Sequence, residues 1–434
     1  MGNAALSAQL RRRAEFSYAV VALFALTQGP VYRLWSDSST YLSTSPQPSM
    51  PHIYFASFIA VQLPAVLLLS RRLSSDVFQR RSIQVLTALM VWLGLSVLWS
   101  TLARQSLPEV VALLTTTLFG LYLATQFSAL ALWRVVATAM SLGLGFSLFA
   151  VWRVWDAAIN TDENYWIGIY YNRNSLAPVA AVGLLAAIGV VVTSWRAATY
   201  AWIDRFGAAV LSGVAVLVLW RSASRTSPFA LVVALVALVV WLLLRSVFAR
   251  SGKLRPYMSF VASITLVVIG LGVFIALRSV DDLNVSGETA TFNSRGGLWS
   301  QNWSGFLEKP WLGWGWMAAR YTVDFYRQGV WWAAFDTEWS HNGYHDLLLG
   351  GGVLAGLLFA GVVLVAIRSC DMTQRWEESV PRLLMVCFVL AAATQESFFI
   401  GSHFLWALLI ASLFAGGLRS ATSINQQHTS HRTT

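Results

Sequence analysis

Three short segments carry the residues best suited to phosphate chemistry: Ser222-Ala223-Ser224-Arg225-Thr226-Ser227, Asn293-Ser294-Arg295, and His341-Asn342. Arginine offers a planar set of donors that pairs bidentately with phosphate oxygens and does not lose its charge, which suits it to a diphosphate leaving group. Arg295 falls in the first turn of an expected helix, where free backbone N–H groups already favour an anion. A histidine such as His341 takes a proton from a sugar hydroxyl or donates a hydrogen bond to a phosphate, and the residues alone leave both roles open. Singly, each group has a plainer reading: Arg225 as an arginine snorkelling to the membrane surface, His341 as a hydrogen-bonded packing residue. His341 and His345 stand four apart, as zinc ligands on a helix do, but no Glu lies between them and no third ligand is apparent, so no metal is expected.

The elements that must position these groups are membrane helices. The 434 residues are 56% hydrophobic and 12% charged, with a mean hydropathy of +0.59, outside the range of soluble globular domains. The apolar runs are about 18 to 25 residues long, which fits helices and not the ten-residue alternation of a membrane barrel. The expected fold is an all-α polytopic bundle of about twelve spans, near 15–35, 52–70, 83–102, 109–127, 134–152, 174–194, 206–220, 227–247, 257–277, 341–367, 381–398 and 401–418. The apolar stretch behind Arg11, Arg12 and Arg13 lacks a small-residue cleavage site, so the first span is expected to stay. The net charge of +10 sits in short clusters between runs rather than in a soluble basic domain, which argues against nucleic acid. Cys370 and Cys387 lie near or inside apolar runs and imply no disulfide framework.

Arginines and lysines fall in alternate loops: Arg11 to Arg13; Arg71, Arg72, Arg80 and Arg81; Arg196 and Arg205; Arg245, Arg250, Lys253 and Arg255; Arg368, Arg375 and Arg382; Arg419. Those loops and both termini are expected on the cytoplasmic side, which places Arg225, Arg295 and His341 together on the other. The chain reads as one membrane domain, 1–434, whose longest external loop, 278–340, separates spans nine and ten. Within it, residues 293–306 read as a short helix before Pro310, with Trp299, Trp303 and Phe306 on one face as anchors at headgroup depth. Trp311, Trp314, Trp316, Trp331, Trp332 and Trp339 stack on sugar faces or mark the interface, the second being the safer reading for most, and Gly350, Gly351, Gly352 and Gly356 loosen their helix or, more commonly, permit close helix packing. Glu338, Arg320 and Arg327 take no assigned role. Nothing resembles a GxxxxGK[ST] loop, a GxGxxG turn or an acidic DxD pair on an external loop, so soluble nucleotide is not the energy source.

The run from Ser340 through His341-Asn342 to Gly352 resembles the signature of bacterial O-antigen ligases. Ser294-Arg295 with Trp299, Glu308-Lys309-Pro310-Trp311-Leu312-Gly313-Trp314-Gly315, Ser224-Arg225 and Asn172-Arg173-Asn174-Ser175-Leu176-Ala177 resemble further landmarks of the ligase and polymerase superfamily, covering roughly residues 170–360. The resemblance implies a GT-C-like glycosyltransferase of the bacterial inner membrane that needs no cofactor. It would move a polysaccharide from undecaprenyl diphosphate to lipid A–core oligosaccharide on the periplasmic face, without metal. Carried over, Arg225 and Arg295 would hold the diphosphate, His341 would be base or orienting group, and Asn342 and Asn174 would be substrate-binding. Ser is also common at the position of Asn342. With no paired carboxylates evident, direct displacement and inversion at the anomeric carbon are expected.

Two rivals share the superfamily: an O-antigen polymerase and an O-linked protein oligosaccharyltransferase. A secondary transporter would also span the membrane about twelve times, but it would carry ionisable residues near the bilayer midplane. Asp346 is the best such candidate.

Overall fold

A computed structural model describes residues 3–35, 52–71, 75–153, 158–160, 163–195, 201–250, 293–321, 340–369, 376–397 and 403–415. In chain order the helices are α1 (Asn3–Leu26), α2 (Gly29–Trp35), α3 (His52–Ser70), α4 (Ser75–Phe78), α5 (Arg81–Leu95), α6 (Ala103–Gln126) and α7 (Ala129–Trp152). They continue with α8 (Arg173–Ser194), α9 (Ala201–Ser222), α10 (Thr226–Arg250), α11 (Asn293–Glu308), α12 (Gly343–Ser369), α13 (Trp376–Ala392) and α14 (Phe404–Phe414). All expected spans but 257–277, which lies outside the described residues, coincide with helices. Among the described residues, 7 helices are long and apolar enough to cross a membrane: α5 with its 3-10 extension, α6, α7, α8, α9, α10 and α12. At 1.5 Å per residue the 24 residues of α7 reach about 36 Å, enough for a hydrocarbon core of about 30 Å.

Three departures from the expected pattern have local causes. The first span is two helices, since Gln28 takes a left-handed φ of 73° between α1 and α2. The all-α expectation needs one addition, a small antiparallel hairpin of β1 (Ile159–Asn160) and β2 (Tyr165–Trp166), which turns at Asn164 with φ 52°. And α3 contains Pro64, which cannot donate to its own helix. There the hydroxyl of Tyr18 on α1 takes the N–H of Ala65 at 2.9 Å and donates to the carbonyl of Val61 at 3.0 Å. A side chain thus bridges the break, as a backbone in lipid requires.

The core lies around α6, α7, α8, α13 and α14. α13 and α14 are buried along nearly their whole length, and α8 is flanked by α7, α9 and α13. Small residues permit the approach: a Cβ on Gly120 of α6 would meet the carbonyl of Ala407 on α14 at 2.7 Å. Large aromatics at the ends of the outer helices are exposed, Trp152 and Trp220 at one end of the bundle and Trp195 and Trp202 at the other, as for rings seated at the two membrane surfaces. Cys387 is a buried packing residue of α13; Cys370 lies outside the described residues.

Candidate functional site at one end of the bundle

The site forms where the start of α8, the α9–α10 turn, the start of α12 and the segment after α13 meet. Each piece is held by its own local structure. Asn172 caps α8 by accepting from the Ser175 N–H at 2.9 Å, and the chain ahead of it is seated by Ile169, whose N–H donates to Ser147 Oγ at 3.3 Å. That seating puts Asn174 in the first turn of α8. The α9–α10 turn passes through Ala223, with φ 51°, and turns Ser224 inward while Arg225 is exposed.

His341 also has a left-handed backbone, with φ 49°, a conformation a non-glycine residue holds only where its surroundings impose it. The imposing contacts are clear. The Gly343 N–H donates to the carbonyl of Ala393 at 2.8 Å, and the hydroxyl of Ser340 meets that of Ser397 at 3.2 Å. Trp299 of α11 donates from its indole to the carbonyl of Ser340 at 3.2 Å, and Tyr344 donates to the carbonyl of Leu390 at 2.8 Å. The segment 340–344 is thereby clasped against the end of α13.

The clasp completes a hydrogen-bonded chain. The Ser224 hydroxyl donates to Asn174 Oδ1 at 2.9 Å, Asn174 Nδ2 donates to Glu396 Oε1 at 2.9 Å, and His341 Nδ1 meets Glu396 Oε2 at 2.9 Å. Glu396 is not among the residues the sequence singles out, yet it is the carboxylate that joins three of the motif segments. It is largely buried, at 12% side-chain exposure, against 29% for His341. An ionised carboxylate only accepts, so in this pairing the shared proton belongs to Nδ1, and in the neutral ring Nε2 is then the atom with the lone pair.

The other residues named from the sequence are placed as follows. Asn342 is buried, and its Oδ1 accepts from the N–H groups of Tyr344 at 3.0 Å and His345 at 3.3 Å. It caps α12, a role that Ser fills equally well. Arg295 lies in the first turn of α11, four residues before Trp299. No carboxylate among the described residues pairs with Arg225, whereas Arg173 is engaged by Glu163 at 3.1 Å and lies over the Tyr165 ring at 4.7 Å. Trp299 and Phe306 are not headgroup anchors, because both are buried, and Trp303 is the half-exposed member of that trio. Trp316 is likewise buried and Trp311 exposed; Trp331, Trp332, Trp339, Arg327 and Glu338 lie outside the described residues.

The glycines of the ligase-like signature do more than allow close packing. α12 is broken at Gly352, where φ is 68° and ψ is −168°, and the stretch after α11 docks into the break. The Val353 N–H donates to the carbonyl of Pro310 at 2.7 Å, and the Trp314 N–H donates to that of Leu349 at 2.7 Å. Trp92 of α5 donates its indole N–H to the carbonyl of Gly351 at 2.8 Å. A Cβ on Gly352 would overlap the Trp311 carbonyl, and one on Gly313, also left-handed at φ 68°, would lie 2.5 Å from the Leu349 oxygen. The Lys309-to-Trp316 stretch is therefore a fitted plug that ties α11 to the half of α12 that follows His341.

No curated protein matches the sequence. With the motifs of the α9–α10 turn, α11 and the broken α12 all inside it, the stretch from residue 207 to residue 360 matches the family model described as O-antigen ligase, the family that those motifs resemble.

Proposed function

We propose that the protein is a glycosyltransferase that moves a polysaccharide from undecaprenyl diphosphate to lipid A–core oligosaccharide at the periplasmic face of the inner membrane, inverting the anomeric centre. The observation that carries this reading is the chain Ser224–Asn174–Glu396–His341, with Arg225 beside its first member. It supplies an oriented base, joined through two side chains to the turn that bears a cation no described carboxylate engages, and displacement of a diphosphate would use both.

The roles follow from the atoms. The acceptor hydroxyl gives its proton to His341 Nε2 as its oxygen bonds to the anomeric carbon, and the bond from that carbon to the diphosphate oxygen breaks. Glu396 steadies the imidazolium that forms, by accepting the Nδ1 proton in a charge-assisted bond. Arg225 and Arg295 neutralise the charge gathering on the departing diphosphate, work that a divalent metal does in many nucleotide-sugar enzymes. Direct displacement inverts the centre, since a single carboxylate already engaged by His341 and Asn174 is not placed as a nucleophile. Asn342 contributes by fixing the start of α12 through its cap.

The test is transfer by reconstituted protein from a lipid-linked glycan to lipid A–core, in the presence of chelator. Wild type should transfer, and Arg225→Ala, Arg295→Ala and His341→Ala should each lose activity while remaining folded. Transfer only to a second lipid-linked glycan would make the protein a polymerase. Transfer only to a protein acceptor would make it an oligosaccharyltransferase. No transfer to any acceptor would sink the reading in favour of transport.

A further inference from the structure

We infer that Asn174 is a positioning residue for the base: it holds Glu396 aimed at His341, and through Ser224 it ties that carboxylate to the turn bearing Arg225. The inference rests on the glycosyl-transfer reading above and revises the part the sequence suggested for Asn174, that of touching substrate.

The direction of the bonds leaves little choice. Glu396 accepts from His341 Nδ1 at one oxygen, so the group facing its other oxygen must donate if the carboxylate is to stay charged at 12% exposure. Asn174 Nδ2 does so at 2.9 Å. With its amide turned that way, Oδ1 is left facing Ser224, whose hydroxyl donates at 2.9 Å. A side chain that donates at one end and accepts at the other, at the reach of Asn, meets both needs. Asp would set a second carboxylate against Glu396, and Ala would strip a donor from the carboxylate and an acceptor from Ser224.

The backbone around Asn174 is built for the purpose. Its neighbour Asn172 uses its own side chain on the helix cap, and Arg173 is occupied by Glu163. Asn174 is the member of the trio turned into the bundle. Ser224 is buried while the adjoining Arg225 is exposed, so a phosphate drawing on Arg225 pulls on the backbone next to the hydroxyl that fixes the Asn174 amide. The turn that bears Arg225 and the base thus stand at the two ends of one hydrogen-bonded chain.

The experiment is a double-mutant cycle in the full-length reconstituted protein, with Asn174→Ala, Glu396→Gln and the pair. Asn174→Leu serves as a second, space-filling variant, and folding is followed by thermal unfolding. Acting through Glu396, Asn174→Ala lowers kcat about tenfold in the wild-type background, and less than about twofold once Glu396 is replaced by Gln, with donor KM within about twofold throughout. Losses that multiply in the double variant would overturn the inference and make Asn174 a merely structural residue. A rise in donor KM with kcat intact would return Asn174 to the substrate, and wild-type rates in both Asn174 variants would leave it idle.

A readout without turnover separates this inference from the transfer reading. The protein has 6 histidines, and the ring-nitrogen resonances of His341 in histidine-labelled protein are assigned by their loss in His341→Gln. They should move in Asn174→Ala and show no further move when Asn174→Ala is added to Glu396→Gln. If wild type transfers nothing yet these resonances respond so, the transfer reading fails and the positioning role stands. If they ignore Asn174, the positioning role fails whatever the activity.

Discussion

Replacing Glu396 by Gln tests whether the carboxylate's charge, rather than its shape, serves the reaction. The hydrogen bonds can all be remade. The new amide accepts from His341 Nδ1 with its oxygen and donates to a flipped Asn174, whose NH2 then donates to Ser224. Fold stability should therefore change little. The lost quantity is the attraction between the carboxylate and the imidazolium formed in the transition state. For two unit charges about 4 Å apart at an effective dielectric constant near 20, it is about 4 kcal/mol. The donor and acceptor atoms are 2.9 Å apart, consistent with charge centres at about that separation. Water reaches His341, which is 29% exposed on its side chain, so the working range is about 2 to 4 kcal/mol. At about 1.36 kcal/mol per decade this is about 30-fold to about 1000-fold in rate. The assay is single-turnover transfer from a labelled lipid-linked glycan with enzyme in excess, alongside thermal unfolding of each variant. The loss should appear in kcat with donor KM unchanged. A Glu396→Gln enzyme within about threefold of wild type, or a loss confined to KM, would refute the assignment of Glu396 to the imidazolium.

Gly352→Ala forces a Cβ into the Trp311 carbonyl and into a left-handed backbone; it should cost about 2 to 4 kcal/mol of stability and abolish transfer, as read by scanning fluorimetry and by activity. Tyr18→Phe removes the hydroxyl that bridges the Pro64 break and leaves Ala65 N–H and Val61 C=O unmet, a loss of about 1 to 3 kcal/mol visible in thermal unfolding with kcat near normal for the folded fraction. Arg225→Lys keeps the charge but loses the planar pair of donors, so donor KM or kcat should suffer by about tenfold, and Arg225→Gln by more. Arg153, which lies over the exposed ring of Trp152, is a control: Arg153→Gln should leave transfer unchanged.

The sequence pointed to the helices and to most of the site by local signals. Arg225, His341 and Asn174 stand out as charged or polar residues at the ends of long apolar runs, and Arg295 as an arginine in the first turn of a short helix in the longest loop. The structure brings Asn174 and His341 to one carboxylate, with Ser224 joined through Asn174, and seats Trp299 of α11 on the segment that carries His341. Glu396 escaped because it lies 55 residues from His341, in Thr394-Gln395-Glu396-Ser397 at the close of an apolar run. A signal was present even so: a carboxylate inside an expected span, 381–398, is a functional candidate by default. Asn342 was legible as a motif residue but not as a helix cap, since its role depends on where α12 begins. The break at Gly352 was legible only as the less common of two readings, a helix loosened by its glycines, and its position was not. It depends on Pro310, Trp314 and Trp92 arriving from elsewhere in the chain, and three glycines in a membrane helix ordinarily mean close packing. Asn174 and Glu396 both fall outside residues 207–360, so the polar chain extends beyond the part that matches the family model.

The Tyr18 bridge bears on how the molecule is assembled. Pro64 opens its turn of α3, where Ala65 N–H and Val61 C=O meet the Tyr18 hydroxyl, and lipid would offer those two groups no partner. Tyr18 lies in α1, which leaves the ribosome before α3. The phenol is already waiting when the defective turn arrives, and α3 gains by pairing with α1 sooner than by lingering alone. The order of synthesis thus puts the partner group in the chain before the turn that needs it.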